Sequence, residues 1–600
     1  MSNRKRRLRH LANRDKEPHW LCFLPLMLIL GLVPIIVHAR LTPLTEIEQI
    51  IFQGQSFHID FFHFYKSVWF VVLTLLSVVS LAHLNYLGIR TLSKRRWFIP
   101  LGIYLALVFI SFLNSDDFVV GWRGFATSYQ GLPVYLSYGV LIFVVYHMVK
   151  TKRDSLLFIW PLLIMALVMT VVSASQYFAG PQFNEHPFFG PVKDVLSYEW
   201  VVNLITPEHI DGVRITMTLG WAYGTLYNPN FAGSFGVMVA FLGIAFYFLS
   251  SKLTHKLLMT VVILCGLFIM IASNSRAGFV GLVGAVGVWF VIGLPYLLRT
   301  HKLTLMFIVV LMVSTVYGVD QLSEGRYRLQ LLRIVEGLER QEQVQIREVS
   351  LDGFNAHILT DEAYVKLSWT GTQLLFYDED GQFIPFTIEG TTYRLHGEAY
   401  ESFSFQLQTN QARVRARFHG RLLDLYFLNE GFGVVGVGGL NTVTQNPQRV
   451  EFLRGYERVF SARGYIYSVS IPLIRNTWFI GSGPDHYVLE FPQRDIAGRL
   501  NGFGLQTVLD KPHNMFLQFA LEIGLLGLIA LLSLLVWPIA SLLKGWFKPS
   551  PHAMYFVSLV AGVTGMLVSG LANDLIMSIA PLFIIIFGLL MTDLKEKEVS

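Results

Sequence analysis

Charged residues are scarce in this chain of 600 residues. Asp, Glu, Lys and Arg together make up 15% of it, whereas hydrophobic residues make up 53%. A typical soluble protein carries about 25% charged residues. The composition therefore excludes an ordinary soluble globular protein and indicates a membrane protein whose polar residues are concentrated in a few segments.

Cysteine and the common catalytic motifs are also scarce or absent. The two cysteines, Cys22 and Cys265, both lie inside apolar runs, which predicts neither a disulfide framework nor a cysteine-based metal site. The sequence contains no phosphate-binding loop with its lysine, no His/Glu metal-binding cluster and no nucleophile elbow. The Asp378-Glu379-Asp380 pattern lies at a predicted hairpin turn rather than in a site for a metal and a sugar nucleotide.

Long apolar runs are what the chain has in abundance. The first, residues 21–37, follows a tail with seven Lys and Arg; we expect a retained helix, with a cleaved signal peptide as the alternative. Eleven further runs are near the length of about 20 residues that crosses a bilayer, and they lie near 67–87, 98–114, 133–149, 156–178, 231–250, 257–273, 277–298, 303–319, 515–538, 553–572 and 575–591. The sequence predicts an all-α polytopic membrane protein with about 12 transmembrane helices.

The short loops between these runs reveal the orientation. Those that fall on the same side as the basic tail contain Arg90, Lys94, Arg95, Arg96, Lys150, Lys152, Arg153, Lys252, Lys256, Arg299, Lys302, Lys544 and Lys548. Basic short loops mark the cytoplasmic side, so the net charge of +6 reflects topology rather than nucleic-acid binding. We expect a cytoplasmic tail at 1–20, spans one to nine at 21–319, an extracytoplasmic loop at 320–514, spans ten to twelve at 515–591 and a second tail at 592–600.

The large outer loop between spans nine and ten has three predicted parts. Residues 322–345 have the periodicity of an amphipathic helix. Residues 346–440 contain short alternating runs and a hairpin signal, which predict a small β-rich insert. Residues 466–480 are typical of a segment that lies at the membrane interface. The insert could be a lid or spacer, or it could bind glycan.

Three polar residues, Lys511, His513 and Asn514, stand at the outer edge of the predicted tenth span. An imidazole at this boundary could transfer a proton or contact an anionic group, or it could simply be hydrated. Glu522 lies nine residues further on, about 13 Å into the span at 1.5 Å per residue. A carboxylate at that depth is either functional or paired with another helix.

Two arginines reach the same outer face by the predicted topology. Arg276 precedes the start of a span, where free backbone N–H groups and a guanidinium together favour an anion; the alternative is an arginine that extends to the interface. Arg214 lies in the loop before the turn at 228–230 and could bind an anion or pair with Asp211. An enzyme with this layout, which has no large cytoplasmic segment for a nucleotide, would act at the outer face on an activated donor in the membrane.

Several segments together resemble the O-antigen ligase / O-antigen polymerase family of integral membrane glycosyltransferases. They are Arg214 with 226–233 (LYNPNFAG), 273–281 (SNSRAGFVG), 462–465 (ARGY), 480–485 (IGSGPD), 513–518 (HNMFLQ), 522–527 (EIGLLG) and 570–574 (GLAND). The resemblance covers about 210–320 and 460–590. The β-rich insert departs from the helical outer loop of the ligases, which leaves ligase and polymerase both open.

The resemblance implies metal-independent transfer, without a cofactor, of a glycan from an undecaprenyl-diphosphate-linked donor. By motif, it implies that His513, Arg276 and Arg214 are catalytic. We also expect the two arginines, Asn514, Lys511 and Glu522 to bind substrate, and His513 to be either a general base or a diphosphate ligand. The expected partners are the lipid-linked oligosaccharide, the bilayer and a glycan, lipid or protein acceptor, and no nucleic acid.

Two other classes of function compete with this interpretation. A transporter or flippase of lipid-linked saccharides would have charged or broken helices near the membrane midplane and internal repeats, and neither is evident in the sequence. A structural or sensing protein that binds glycan through its β-rich insert would not need Arg214, Arg276 or His513. Substitution of these residues therefore separates the three classes.

Overall fold

The computed structural model describes residues 17–181, 220–300, 344–457, 459–545 and 551–592, together with residues 302, 306 and 317. The α-helices in these residues are α1 (Leu24–Gly31), α2 (Glu46–Ile51), α3 (Phe64–Tyr86), α4 (Phe98–Leu113), α5 (Phe118–Arg123), α6 (Leu132–Met148), α7 (Lys152–Leu156), α8 (Ile159–Phe178), α9 (Pro229–Leu249), α10 (Leu253–Ala272), α11 (Arg276–Thr300), α12 (Val459–Thr477), α13 (Tyr487–Glu490), α14 (Ile496–Gly502), α15 (Met515–Glu522), α16 (Gly524–Ser533), α17 (Val536–Gly545), α18 (Pro551–Ser569) and α19 (Ala580–Leu590).

The β-strands are mostly confined to one stretch of the chain. They are β1 (Arg40–Pro43), β2 (Phe57–Asp60), β3 (Ile346–Asp352), β4 (Asn355–Thr360), β5 (Tyr364–Trp369), β6 (Leu374–Tyr377), β7 (Phe386–Glu389), β8 (Thr392–Leu395), β9 (Ser404–Gln408), β10 (Arg413–Phe418), β11 (Arg421–Leu428), β12 (Gly431–Gly436) and β13 (Gly439–Asn441). Strands β1 and β2 form a separate antiparallel pair.

The helical part of the chain has the properties of a membrane protein. Among the described residues, six helices are long and apolar enough to cross a membrane, namely Phe64–Tyr86, Lys152–Phe178, Pro229–Leu249, Leu253–Ala272, Arg276–Leu298 and His552–Ser569. Five shorter apolar helices coincide with other predicted runs, at Trp20–Ile35, Phe98–Leu113, Leu132–Met148, Gly524–Ala540 and Ala580–Leu590. The predicted run at 303–319 and the amphipathic helix at 322–345 fall almost entirely outside the described residues, so the count of twelve spans stays a prediction.

Helix α9 is largely buried inside this bundle. Its glycines explain how neighbouring helices come so close: a Cβ on Gly236 would lie 2.5 Å from the carbonyl oxygen of Gly266 in α10. Likewise, a Cβ on Gly278 in α11 would lie 2.7 Å from the Cα of Gly233. Small residues allow backbones to touch where no hydrophobic driving force joins helices in lipid. The start of α9 is therefore held against the start of α11.

The β-rich insert is confirmed, with strands from Ile346 to Asn441. Strands β3 to β6 form a four-stranded sheet, and β7 to β13 form a seven-stranded sheet in sequence order, with every pairing antiparallel. Buried side chains from both sheets share one hydrophobic core. In β10, for example, Val414 and Ala416 point into that core while Arg413 and Arg415 pair with Asp424 on the outer face, which is the alternation of a half-buried strand.

Helix α14 joins the insert to the segment that leads to His513. The Asn501 side chain donates to the carbonyl oxygen of Ile346 at 2.7 Å and accepts the backbone N–H of the same residue at 3.1 Å. Ile496 and Ala497 belong to the core of the insert. Because α14 is part of that core, the insert packs directly against the segment that leads to His513.

Candidate functional site

His513 occupies a fixed corner immediately before α15. Its backbone has φ of 49°, a left-handed conformation that is uncommon for a residue with a side chain. The Asn514 side chain accepts hydrogen bonds from the backbone N–H groups of Phe516 and Leu517, at 2.9 and 3.0 Å, and so caps α15. This cap sets where the helix begins and holds the imidazole, which is 36% exposed, just outside it.

A buried carboxylate, Asp574, orients this imidazole. Its Oδ2 lies 3.1 Å from Nδ1 of His513, and its Oδ1 accepts the backbone N–H of Asn514 at 3.1 Å. The Asp574 side chain is fully buried. Since a carboxylate accepts the hydrogen bond, Nδ1 carries the proton and Nε2 is left as the acceptor. This is the orientation that a general base requires.

Helix α12 adds two side chains to the same corner. The Tyr467 hydroxyl lies within hydrogen-bond distance of the carbonyl oxygens of His513 and Leu571, at 3.0 and 2.9 Å. Arg463 lies one helical turn earlier and interacts electrostatically with Asp574. Burial lowers the pKa of the Arg463 guanidinium, and Tyr467 and Asp574 offset part of that effect. Arginine stays cationic in proteins, so Arg463 supplies a positive charge beside the His513–Asp574 pair.

Arg276 is the first residue of α11, and it is exposed. The hydroxyl of Ser275 accepts the backbone N–H of Gly278 at 3.0 Å and lies 3.3 Å from Oδ1 of Asn230. These contacts tie the start of α11 to the start of α9. Two helix N-termini, each the positive end of a backbone dipole, therefore lie together, and Arg276 is the first residue of one of them; this arrangement favours an anionic ligand.

The loop before α19 connects the two corners. The Asn573 side chain lies 3.3 Å from the Ser234 hydroxyl and 3.5 Å from the Asn230 carbonyl oxygen, both at the start of α9. The next residue, Asp574, holds His513. Two adjacent residues thus bind the helix start beside Arg276 on one side and the imidazole on the other, which places both at the same end of the bundle.

The close approach of Gly278 to Gly233 gives a first prediction. We expect Gly278→Ala to lower the unfolding free energy by about 1–3 kcal/mol, because the new Cβ must push the two helices apart. Thermal unfolding in detergent would measure the loss. Gly287→Ala is the matched control, since Gly287 lies in the same helix and has no atom within 4 Å of an added Cβ. An equal loss in both variants would contradict the steric explanation.

Lys511 is buried in a cluster of carboxylates. Its Nζ lies 3.6 Å from Asp485, and its side chain is 9% exposed. Burial alone would lower the pKa of Lys511, but the attraction of the surrounding carboxylates outweighs burial and raises it; these are Asp485, Asp510, Asp574 and Glu522. Asp485 in turn accepts the backbone N–H groups of Phe125 and Gln130 at 2.8 and 3.0 Å. Lys511 therefore helps to hold the loops around Asp485 together, and its contact with substrate stays a prediction.

Two predicted site residues remain, Glu522 and Arg214. Glu522 is buried at the end of α15, where its carboxylate accepts the hydroxyl of Tyr135 and its carbonyl oxygen accepts the Gly483 N–H at 3.0 Å. These contacts are structural, and binding of substrate by Glu522 stays a prediction. Arg214 lies outside the described residues.

Asp574 and Arg463 were missed as site residues from the sequence. Both lie within segments that carry the family resemblance, 570–574 and 462–465, but only the fold shows that they meet at His513. A usable signal was present for Asp574: an Asn-Asp pair stands between two apolar runs at the predicted outer face, where an unpaired carboxylate is unexpected. No comparable signal distinguishes Arg463 from other loop arginines.

Comparison with known proteins bears on the segment that contains His513. A family model described as O-Antigen ligase matches residues 383–532, about a quarter of the chain. No curated protein and no solved structure matches the chain. The match includes His513, Asn514 and part of the β-rich insert, whereas Arg276 and Asp574 lie beyond it. It therefore differs in extent from the resemblance, which covers about 210–320 and 460–590. It nevertheless confirms the resemblance itself: residues 383–532 are similar to the O-antigen ligase family.

Proposed function

We propose that this protein transfers a glycan from an undecaprenyl-diphosphate-linked donor to an acceptor at the outer face of the cytoplasmic membrane, without a metal. The similarity of residues 383–532 to the O-antigen ligase family supports a role in glycosyl transfer during cell-surface polysaccharide synthesis. The observation that carries the finer proposal is the His513–Asp574 pair, which lies at the same end of the bundle as two cationic groups, Arg463 and Arg276.

In this mechanism, Nε2 of His513 removes the proton from the acceptor hydroxyl as its oxygen attacks the anomeric carbon of the donor sugar. The bond between that carbon and the diphosphate oxygen breaks, and the electron pair leaves with the lipid diphosphate. Asp574 stabilises the imidazolium that forms, as a buried carboxylate does when it binds Nδ1–H. A general base of this kind contributes about 10²- to 10⁴-fold to a rate.

The leaving group determines what else the site needs. Negative charge grows on the diphosphate as the sugar departs, and fixed cations and helix dipoles stabilise such charge without reorganisation. Arg276 and the paired starts of α9 and α11 provide that stabilisation in our proposal, with Arg214 as a further cation. A guanidinium suits this role because it can bind two phosphate oxygens at once. Asn514, Lys511 and Glu522 are proposed to contact or position the saccharide.

Complementation of a deletion strain tests this proposal. At matched membrane levels, Arg276→Ala and His513→Ala should abolish the glycan product and cause lipid-linked glycan to accumulate. The control is Arg394→Ala, which removes an exposed pair with Glu389 that contributes little. Loss of long chains alone would identify a polymerase, and loss of attachment to the acceptor would identify a ligase. Normal glycan in both site variants would refute the site and favour a transporter or a binding protein.

A further inference from the structure

A cavity lies at the opposite end of the bundle from His513. Its volume is about 420 Å³, within the range of small-molecule sites, and its lining includes Trp20, Arg153, Trp160, Lys252 and His255. These residues come from three parts of the chain: the first apolar helix, the turn into α8 and the turn between α9 and α10. The cavity is therefore built by the tertiary fold and not by one loop.

Helix α9 shows how far this cavity is from the candidate site. The helix begins at Pro229, next to the Asn230 corner beside Arg276, and ends at Leu249, next to Ser250 in the cavity lining. Its 21 residues span about 31 Å at 1.5 Å per residue. This is about the thickness of the hydrocarbon core of a bilayer, so the cavity belongs to the other membrane face.

Several basic side chains belong to the cavity lining. Arg153, Lys252 and His255 line it together, and α10 begins directly after Lys252, without a side-chain cap on its N-terminus. Its first backbone N–H groups and the positive end of its dipole add to the basic side chains. The Ser250 hydroxyl lies 3.0 Å from Nδ1 of His255. Arg153 also pairs with the half-exposed Glu17, which offsets part of this charge.

The rest of the cavity lining is mostly apolar. Trp20 and Trp160 are 48% and 56% exposed, and Met27, Leu156 and Leu157 line the cavity with them. Tryptophan is enriched where a membrane meets water. A cavity lined by both cationic and apolar side chains, at the level of a membrane interface, matches a molecule with an anionic head group and acyl chains.

We propose that this cavity binds an anionic phospholipid of the membrane. Arg153 and Lys252 contact the phosphate, and the acyl chains lie along Trp20 and Trp160. Basic pockets between transmembrane helices on the cytoplasmic side bind such head groups. A free phosphate ion would contact the basic side chains alone and leave the apolar lining uncovered, so the lipid is the better match. The inference does not depend on the proposed glycosyl transfer.

Native mass spectrometry of the full-length protein in detergent tests this site. Phosphatidylglycerol should bind about 25-fold more tightly than phosphatidylcholine with the same acyl chains. The variant Arg153→Gln/Lys252→Gln should lose about that factor for phosphatidylglycerol only, since each basic residue near a surface contributes about fivefold. The matched control is Lys256→Gln, which removes a charge one turn along α10 that stacks on Tyr247 outside the cavity lining. His513→Ala should bind the lipid like the wild type.

Several results would overturn the proposal. Equal binding of the two lipids would show that charge is not recognised, and equal loss in Lys256→Gln would show that only overall charge matters. Undiminished binding by the double variant would place the lipid elsewhere. Inorganic phosphate that displaces phosphatidylglycerol completely at millimolar concentration would identify a site for the ion rather than for the lipid. Matched melting temperatures of the variants, measured without added lipid, exclude misfolding as the cause of a loss.

Discussion

Asp574→Asn should slow glycan transfer by about 100-fold or more, which is the scale of a general base that loses its orienting carboxylate. Asparagine has nearly the same shape, so the turn before α15 can keep its hydrogen bond from the Asn514 backbone. The variant loses the negative charge that stabilises the imidazolium. An amide can also donate a hydrogen bond, so it no longer keeps the proton on Nδ1 of His513. The effect should therefore appear in the rate and not in the amount of protein in the membrane.

A transfer assay with purified protein and a lipid-linked glycan donor would measure this effect. Asp117→Asn is the matched control: Asp117 caps α5 through its side chain, and asparagine caps a helix equally well. The double variant Asp574→Asn/His513→Ala should be no slower than His513→Ala alone, because the rate losses from two residues that act as a unit are not additive. Additive losses would show that Asp574 acts independently of His513, and a loss in the control would point to general damage.

Much of the fold could be predicted because the bilayer imposes it. Apolar runs near the length of a span coincide with described helices from the first near Trp20 to the last at Ala580–Leu590, and alternating runs after residue 344 became strands. What the sequence could not show is how the strands divide into two sheets. Nor could it show that Ile496 and Ala497, far along the chain, complete the core of the insert. Those contacts depend on tertiary packing, which local periodicity does not encode.

The candidate site was predictable to a lesser extent. His513 and Arg276 could be selected because a polar group at the end of an apolar run is conspicuous. The partner of His513 could not, because Asp574 lies 61 residues further along the chain and reaches the imidazole only after the last helices have packed. The pairing of Glu522 with Tyr135 depends on a similar long-range contact. Depth in the membrane predicted that Glu522 matters, but not what it contacts.

Lys511→Met should lower the unfolding free energy by about 3 kcal/mol, the lower end of the range for breaking a buried ion pair. Methionine fills a similar volume, so the loss comes from charge: the carboxylates of Asp485, Asp510 and Glu522 would face one another without their shared cation. The lower end applies because Asp485 keeps three other donors, the N–H groups of Phe125 and Gln130 and the Ser128 hydroxyl. Thermal unfolding in detergent, followed together with transfer activity, would measure the change.

A second substitution, at Asp510, tests whether Lys511 stabilises the fold or binds the substrate. Lys511→Met/Asp510→Asn should recover part of the stability, because it removes one of the opposed charges and still offers an oxygen to the Thr127 hydroxyl, which Asp510 accepts at 2.5 Å. Lys94→Met, at an exposed loop position, should change stability by no more than about 0.5 kcal/mol. If Lys511→Met melted like the wild type but failed to transfer glycan, Lys511 would bind the substrate directly. In that case, the carboxylates around it would be held by their hydrogen bonds alone.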